Sequence, residues 1–140
     1  MNRLKELYGL SYYKSDFSSS LTSWYNTLLD KTIDDLEISD VSKMLRQNIL
    51  PDVAIERALD LFLLIPYDGE YRDGGLLSFL LTLDFAKVDH AKLEKVNSFL
   101  QNLKSDYVHF PFESKEIKAL YLPNLHELER KLDYLIDAQT

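Results

Sequence analysis

The chain of 140 residues is long enough for one domain with a substantial buried core. It contains no cysteine, which excludes a disulfide framework and any thiolate catalytic or metal site. Charges and tyrosines interrupt the apolar residues of the N-terminus, so it matches neither a signal peptide nor a membrane span. We therefore expect a cytoplasmic protein that does not bind membranes.

The formal net charge of −7 comes from the middle of the chain. Residues 30–89 carry thirteen acids and six bases, a difference that equals the whole net charge. Such a segment repels nucleic acid and attracts basic partners, so we expect no direct contact with nucleic acid. Acidic surfaces also serve solubility alone, and the charge by itself leaves both interpretations open.

Helical periodicity dominates the first half of the chain. Apolar residues in 21–29 recur every three or four positions, which predicts a helix that begins at the serine run after Asp16. Ser39 suits the N-cap of a short second helix. Pro51 suits the first turn of a third helix, which we expect to run to Ile65.

Two apolar runs, residues 61–65 and 76–83, are predicted to form the centre of the core. Their leucine content favours helix, and a buried strand pair is the competing interpretation. The glycine-rich stretch between them is predicted to be a connector, with Asp73 capping the next helix and Gly74 and Gly75 at its start. Two glycines disfavour a helix start, which suggests that another segment or a partner approaches the backbone closely there.

The last third of the chain predicts two longer helices. Asp89 suits the N-cap of the first, and Asn124 suits the N-cap of the second, with Glu127 at the capping-box position. Residues 107–112 between them predict an extended connector, because Pro111 disfavours helix at the residue before it. We predict an all-α fold: a single compact helical bundle of about six or seven helices that spans residues 1–140.

No catalytic signature stands out. The three histidines lie far apart in the sequence, and no helix pairs two of them at the spacing of metal ligands. Paired carboxylates, Asp34 with Asp35 or Glu70 with Asp73, leave an acid and base pair open in principle. We expect no metal, no cofactor and no enzymatic activity, with a small hydrolase as a distant alternative.

The order of motifs in the first half resembles a known family. The tryptophan-bearing helix at Trp24 precedes Gln47-Asn48-Ile49, then Ala58-Leu59-Asp60-Leu61, then Gly74-Gly75-Leu76-Leu77. This order is similar to that of small helical immunity proteins of contact-dependent growth inhibition systems, in which an aspartate occupies the position of Gly75. The resemblance covers a core of about residues 20–85 and leaves the helices in 86–140 to pack against it.

The resemblance implies a non-enzymatic protein that binds and blocks the C-terminal domain of a cognate toxin delivered by a neighbouring bacterium. Many such toxin domains are nucleases with basic clefts, so a basic nuclease is one candidate partner. An acidic inhibitor would be steered toward such a cleft by its charge. We predict that partner binding involves an acidic face with aromatic anchors, comprising Asp34, Asp35, Glu37, Asp68, Glu70, Asp73, Tyr67 and Tyr71.

A non-catalytic helical adaptor or regulatory protein is the main alternative, because it would have the same sequence signature. Only the identity of the partner separates it from an immunity protein. The hydrolase alternative requires in addition a concave pocket with a carboxyl group of raised pKa.

Overall fold

The computed structural model describes residues 2–13 and 20–138, which form seven α-helices and no strand. The predicted all-α class is confirmed, and the strand-pair interpretation of the two apolar runs is wrong. The helices are α1 (Leu4–Tyr8), α2 (Ser20–Leu29), α3 (Ile38–Arg46), α4 (Pro51–Leu64), α5 (Gly75–Leu80), α6 (His90–Asp106) and α7 (Lys115–Ala138).

The stripe predicted in residues 21–29 places α2 on the core. Leu28 and Leu29 are fully buried, and Trp24 packs at the edge of the hydrophobic cluster. Ser20 is the first described residue of this helix. The predicted helix start after Asp16 lies outside the described residues.

The start of α3 differs from the prediction. Glu37, not Ser39, occupies the N-cap, and the Asp40 carboxylate accepts the N–H of Glu37 at 3.0 Å. An acid three residues beyond the cap satisfies an orphan donor and places the helix start earlier than the serine alone suggests. Helix α4 begins at Pro51, as predicted, and ends at Leu64, one residue before the predicted end at Ile65.

Helix α4 is the centre of the core and packs against α3, α5 and α6. Phe62 is fully buried and meets Phe99 of α6 edge to face, with ring centroids 5.8 Å apart. The prediction that the run 61–65 lies at the centre of the core is wrong at Leu64, which is 69% exposed. The last turn of α4 thus has one open side.

Helices α6 and α7 pack along each other. Asp89 is the N-cap of α6, as predicted. The predicted N-cap at Asn124 is wrong, because α7 already begins at Lys115, where the Ser114 hydroxyl accepts the N–H of Ile117 at 3.1 Å. Helix α7 continues through Pro123, an exposed residue on the side where water can reach the backbone.

The connector between these two helices closes an aromatic cluster, formed by Tyr67, Tyr107, Phe110, Phe112 and Tyr121. Residues 107–109 form a 3-10 turn, so the predicted extended conformation is wrong there and is found at Phe110, after which the Phe112 N–H donates to the Phe110 carbonyl at 3.0 Å. The Tyr67 ring stacks on Phe110 at 4.4 Å. The Tyr121 hydroxyl donates to the carbonyl of Pro66 at 2.8 Å, and burial raises the pKa of this phenol. The cluster ties the loop after α4 to α7.

Candidate partner-binding site

Two of the predicted acids lie in a 3-10 turn at Ile33–Asp35, between α2 and α3. The Asp35 Oδ2 atom accepts the N–H of Thr32 at 3.1 Å, and hydrogen bonds from the Thr32 backbone and hydroxyl lower the pKa of Asp35. Asp34 is exposed, and its carboxylate bonds to no other described residue. One acid therefore shapes the turn, and the other faces solvent.

Asp40 fastens this turn to the helices on either side. Its carboxylate accepts hydrogen bonds from Lys31 Nζ at 2.7 Å, the Glu37 N–H at 3.0 Å and the Trp24 indole N–H at 3.2 Å. Burial acts to raise the pKa of Asp40, but the three hydrogen bonds outweigh it and leave the pKa below its usual value. Asp40 is 5% exposed, so it stabilises the fold and is not available to a partner.

Arg57 of α4 holds the same turn from below. Its Nε donates to the carbonyl of Leu36 at 3.0 Å and its Nη2 donates to the carbonyl of Asp34 at 2.8 Å. The residue is only 8% exposed, and no carboxylate of the described residues forms an ion pair with it. Its charge also acts on Asp35, since it adds to the hydrogen bonds that lower the pKa of that carboxyl.

The loop between α4 and α5, residues 65–74, is fixed by its own backbone. The N–H of Gly74 donates to the carbonyl of Tyr67 at 2.6 Å, and the N–H of Leu76 donates to the carbonyl of Asp68 at 2.9 Å. These two bonds close the loop at its base. The side chains at its tip are therefore presented by a backbone with a defined conformation.

Glycines allow this closure, as the paired glycines in the sequence suggest. A Cβ on Gly69 would lie 2.6 Å from the Cα of Gly75, so a side chain at Gly69 does not fit. Gly74 has φ of +73°, and a Cβ there would lie 3.3 Å from the Tyr121 ring of α7. The predicted close approach is confirmed, and the approaching atoms belong to the loop itself and to α7.

Asp73 does not cap α5, contrary to the prediction. Gly74 occupies the N-cap, and the Asp73 carboxylate accepts the N–H of Glu113 at 3.0 Å. This bond ties the loop to the segment before α7. The Asp73 carboxylate is thus engaged within the fold.

The turn, the start of α3 and the loop surround one concavity of about 570 Å³ above Arg57, which we call the acidic cleft. Five of the predicted site residues line it, and they come from segments more than thirty residues apart in the sequence. The structure brings these acids together and leaves Asp73 outside, while Tyr67 belongs to the aromatic cluster. The cleft is lined by Asp34, Asp35, Leu36, Glu37, Ile38, Ser39, Arg57, Leu61, Ile65, Asp68, Gly69 and Glu70.

A second concavity, of about 370 Å³, lies on the other side of the loop tip, and we call it the arginine groove. Tyr71 belongs to it and is 85% exposed. Ile38 and Glu70 line both concavities, so the two share one boundary. The arginine groove is lined by Ile38, Ser42, Arg46, Glu70, Tyr71, Arg72, Gly75, Ser78 and Phe79.

Sequence reasoning missed Arg57 and the arginine groove. A signal for Arg57 was present, because it lies three residues after Ala54 and four before Leu61, on the buried face of α4. A charged residue at such a position needs internal hydrogen-bond partners. No comparable local signal connects Arg46 with Arg72, which are far apart in the sequence.

The described residues contain no group of three or more histidine, acidic or cysteine side chains arranged to hold a metal ion. Over the same ranges, the helices are too short or too polar to cross a bilayer.

The sequence of this chain is similar to a known protein family. A family model described as CDI immunity proteins, the immunity proteins of contact-dependent growth inhibition, matches residues 6–97. A comparison with curated proteins finds no match. The matched region runs from α1 into α6 and contains every residue of the acidic cleft and of the arginine groove. Since this match spans well over half of the chain, the protein belongs to the CDI immunity protein family.

Proposed function

We propose that this protein neutralises a cognate toxin domain in the bacterial cytoplasm by binding it through the acidic cleft. Family membership supports the toxin-neutralising role. The observation that carries the choice of surface is the convergence of Asp34, Asp68 and Glu70 from two separate segments on one concavity. Their carboxylates form no hydrogen bond or ion pair within the described chain, so all three are free to meet cationic side chains.

The negative charge of the acidic cleft would raise the association rate with a basic partner. Several like charges around a concave surface focus the field and raise the association rate of an oppositely charged protein. A nuclease-type toxin presents such a partner, because its active site must attract phosphates. The cleft would then compete with the nucleic acid for the toxin, without binding nucleic acid itself.

Tyr71 supplies the apolar part of the same interface. Its ring is exposed beside the acids, on a loop whose backbone is closed by hydrogen bonds and by the contact of two glycines. A rigid, exposed aromatic residue loses little conformational freedom on binding, and tyrosine is enriched at binding hot spots. We propose that Tyr71 anchors the toxin and that the whole chain acts as one non-catalytic domain.

The test uses the toxin domain encoded beside the gene, and it measures association and dissociation rates at about 50 mM and 300 mM salt. The variant Asp34→Lys/Asp68→Lys/Glu70→Lys should lower the association rate at low salt by about tenfold or more. These positions avoid Asp35 and Glu37, which stabilise the turn and the start of α3.

The control is Glu6→Lys/Glu94→Lys/Glu127→Lys, which changes the net charge equally at exposed positions on α1, α6 and α7. We expect a smaller decrease from this variant, because those acids lie outside the cleft. Equal rates for the two triple variants would contradict the acidic cleft as the binding surface. No binding of the toxin domain by the wild type would contradict the immunity function itself.

A further inference from the structure

The arginine groove has a charge opposite to that of the cleft it borders. Arg46 comes from the last turn of α3, and Arg72 comes from the loop. Arg46 Nη1 donates to the Ser42 hydroxyl at 3.1 Å, and the Arg72 guanidinium bonds to no other described residue. Glu70 also lines this groove, yet no ion pair within 4.0 Å joins it to either arginine.

Arg46 and Arg72 form no ion pair with any described residue, although acids are abundant in this part of the molecule. The segment 30–89 has an excess of acids, so nearby carboxylates could have neutralised both guanidinium groups. Instead, two cations converge on a groove whose walls include the apolar side chains of Ile38, Tyr71 and Phe79. Both arginines are exposed, and a guanidinium suits the recognition of a planar carboxylate, because its fork of N–H groups matches the two oxygens.

The nature of the ligand follows from the neighbouring cleft. Because Ile38 and Glu70 line both concavities, a folded partner seated over this shared boundary contacts both. Nucleic acid would place phosphates beside Asp68 and Glu70, which repel them. A folded protein can instead present a basic patch to the cleft and an acidic side chain to the groove.

We infer that the arginine groove binds an aspartate or glutamate side chain of the same toxin domain, and that Arg46 and Arg72 fix the orientation of the complex. This inference rests on the proposed function. Two adjacent regions of opposite charge accept a partner in one orientation only, since a reversed partner would place like charges together. The acidic cleft then supplies the rate of encounter, and the groove supplies selectivity among basic proteins.

The two regions should affect binding kinetics differently. Removing the arginines makes the protein more acidic, so the association rate with a basic toxin should stay constant or rise at low salt. The dissociation rate should increase about tenfold, because docking against Ile38 and Phe79 removes water from the ion pairs. A faster dissociation without a slower association would indicate a bound carboxylate, because a general charge effect changes mainly the association rate.

The experiment compares Arg46→Gln/Arg72→Gln with the matched control Arg3→Gln/Arg130→Gln, whose arginines are exposed on α7 and just before α1. Association and dissociation rates are measured with the toxin domain encoded beside the gene. Circular dichroism and the fluorescence of Trp24 verify that each variant is folded. A tenfold faster dissociation for the groove variant, with the control unchanged, is the expected result.

Three outcomes would overturn the inference in distinguishable ways. No toxin binding by the wild type would remove the proposed function and the inference with it. Normal toxin binding with equal dissociation rates for the two double variants would overturn only the role of the groove. Binding of a labelled single-stranded oligonucleotide by the wild type, lost in Arg46→Gln/Arg72→Gln, would assign the groove to phosphate instead of a carboxylate.

Discussion

Polar side chains are arranged differently in two regions of the molecule, the packed helices α6 and α7 and the acidic cleft. Across α6 and α7, Lys104 and Gln101 both bond to Glu129, and Asn97 Nδ2 donates to Asp133 at 2.9 Å. Hydrogen bonds from Gln101 and Lys104 lower the pKa of Glu129, so its charge is stabilised within the fold. Polar residues there satisfy each other, except that the buried Oδ1 atom of Asn97 has no hydrogen-bond partner among the described residues.

Around the acidic cleft, several charges have no such partner. Asp34, Asp68 and Glu70 face one concavity without an internal cation bonded to any of them. Their mutual repulsion opposes folding, and a basic partner would relieve it. The comparison teaches that the acidic cleft holds charges open to a partner beside charges that stabilise the fold, such as Asp35 and Arg57, whereas the charges named across α6 and α7 bond to groups on the opposite helix.

The largest effect on stability is expected at Arg57, which tests the comparison because it is a charge within the acidic cleft that we assign to the stability of the fold. Arg57→Met removes two hydrogen bonds to backbone carbonyls and should lower the free energy of unfolding by about 2–4 kcal/mol. Urea unfolding followed by the fluorescence of Trp24 measures the change. Arg46→Met, at an exposed position, serves as the control and should stay within about 0.5 kcal/mol. A loss of similar size in both variants would assign Arg57 to the surface charges.

The next largest effect on stability is expected at Asp40. Its pH dependence shows whether the charge of this carboxylate stabilises the fold. Asp40→Asn should lower the free energy of unfolding by about 2 kcal/mol at pH 7, because Lys31, Trp24 and Glu37 lose a charged acceptor. The pKa of Asp40 is depressed in the fold, so its contribution is present above the unfolded value of 3.8 and is lost as pH falls below it.

Unfolding measured from pH 7 to pH 3 tests this assignment. The difference between wild type and Asp40→Asn should shrink as the pH falls below about 4. Asp68→Asn is the control at pH 7 and should change stability by less than about 0.5 kcal/mol, because its carboxylate is exposed and unbonded. A difference that stays constant down to pH 3 would contradict the role of the Asp40 charge.

The smallest effects on stability are expected when one acid from α7 and one from the acidic cleft are replaced. Glu129→Gln should lower the free energy of unfolding by about 0.5–1 kcal/mol, since it weakens an ion pair with Lys104 that is partly shielded from water. Glu70→Gln should leave stability unchanged or raise it slightly, because it removes one of several like charges. Chemical denaturation at low salt measures the free energy of unfolding of both variants. Equal losses would show that the cleft acids also stabilise the fold.

Local sequence patterns predicted those elements whose signal lies within a few residues. The stripe in 21–29 faces the core except at Leu21, which is 46% exposed. Pro51 at the start of α4 and Asp89 before α6 are found where capping preferences place them. The glycine pair at the start of α5 correctly indicated a close backbone approach. Helix periodicity and backbone sterics act over one or two turns, so these features can be read without the fold.

Predictions that failed did so where a distant contact competes with a local preference. Asn124 has the sequence of a helix start, yet it lies inside α7, where its Nδ2 lies 3.4 Å from the Ser78 hydroxyl of α5. Asp73 has the sequence of an N-cap, yet it accepts the N–H of Glu113, forty residues away. In each case a partner from another element satisfies the side chain.

The sequence by itself determined the helical class, the acidic middle segment and the residues able to carry the charge. Only the tertiary structure decided which of those acids meet, because the turn at Ile33–Asp35 and the loop at 65–74 become neighbours through the packing of α3, α4 and α5. It also decided that Arg57 lies beneath them, and that Arg46 and Arg72 converge beside them. Charge is a property of single residues, whereas a binding surface depends on distances between residues that only the packed helices define.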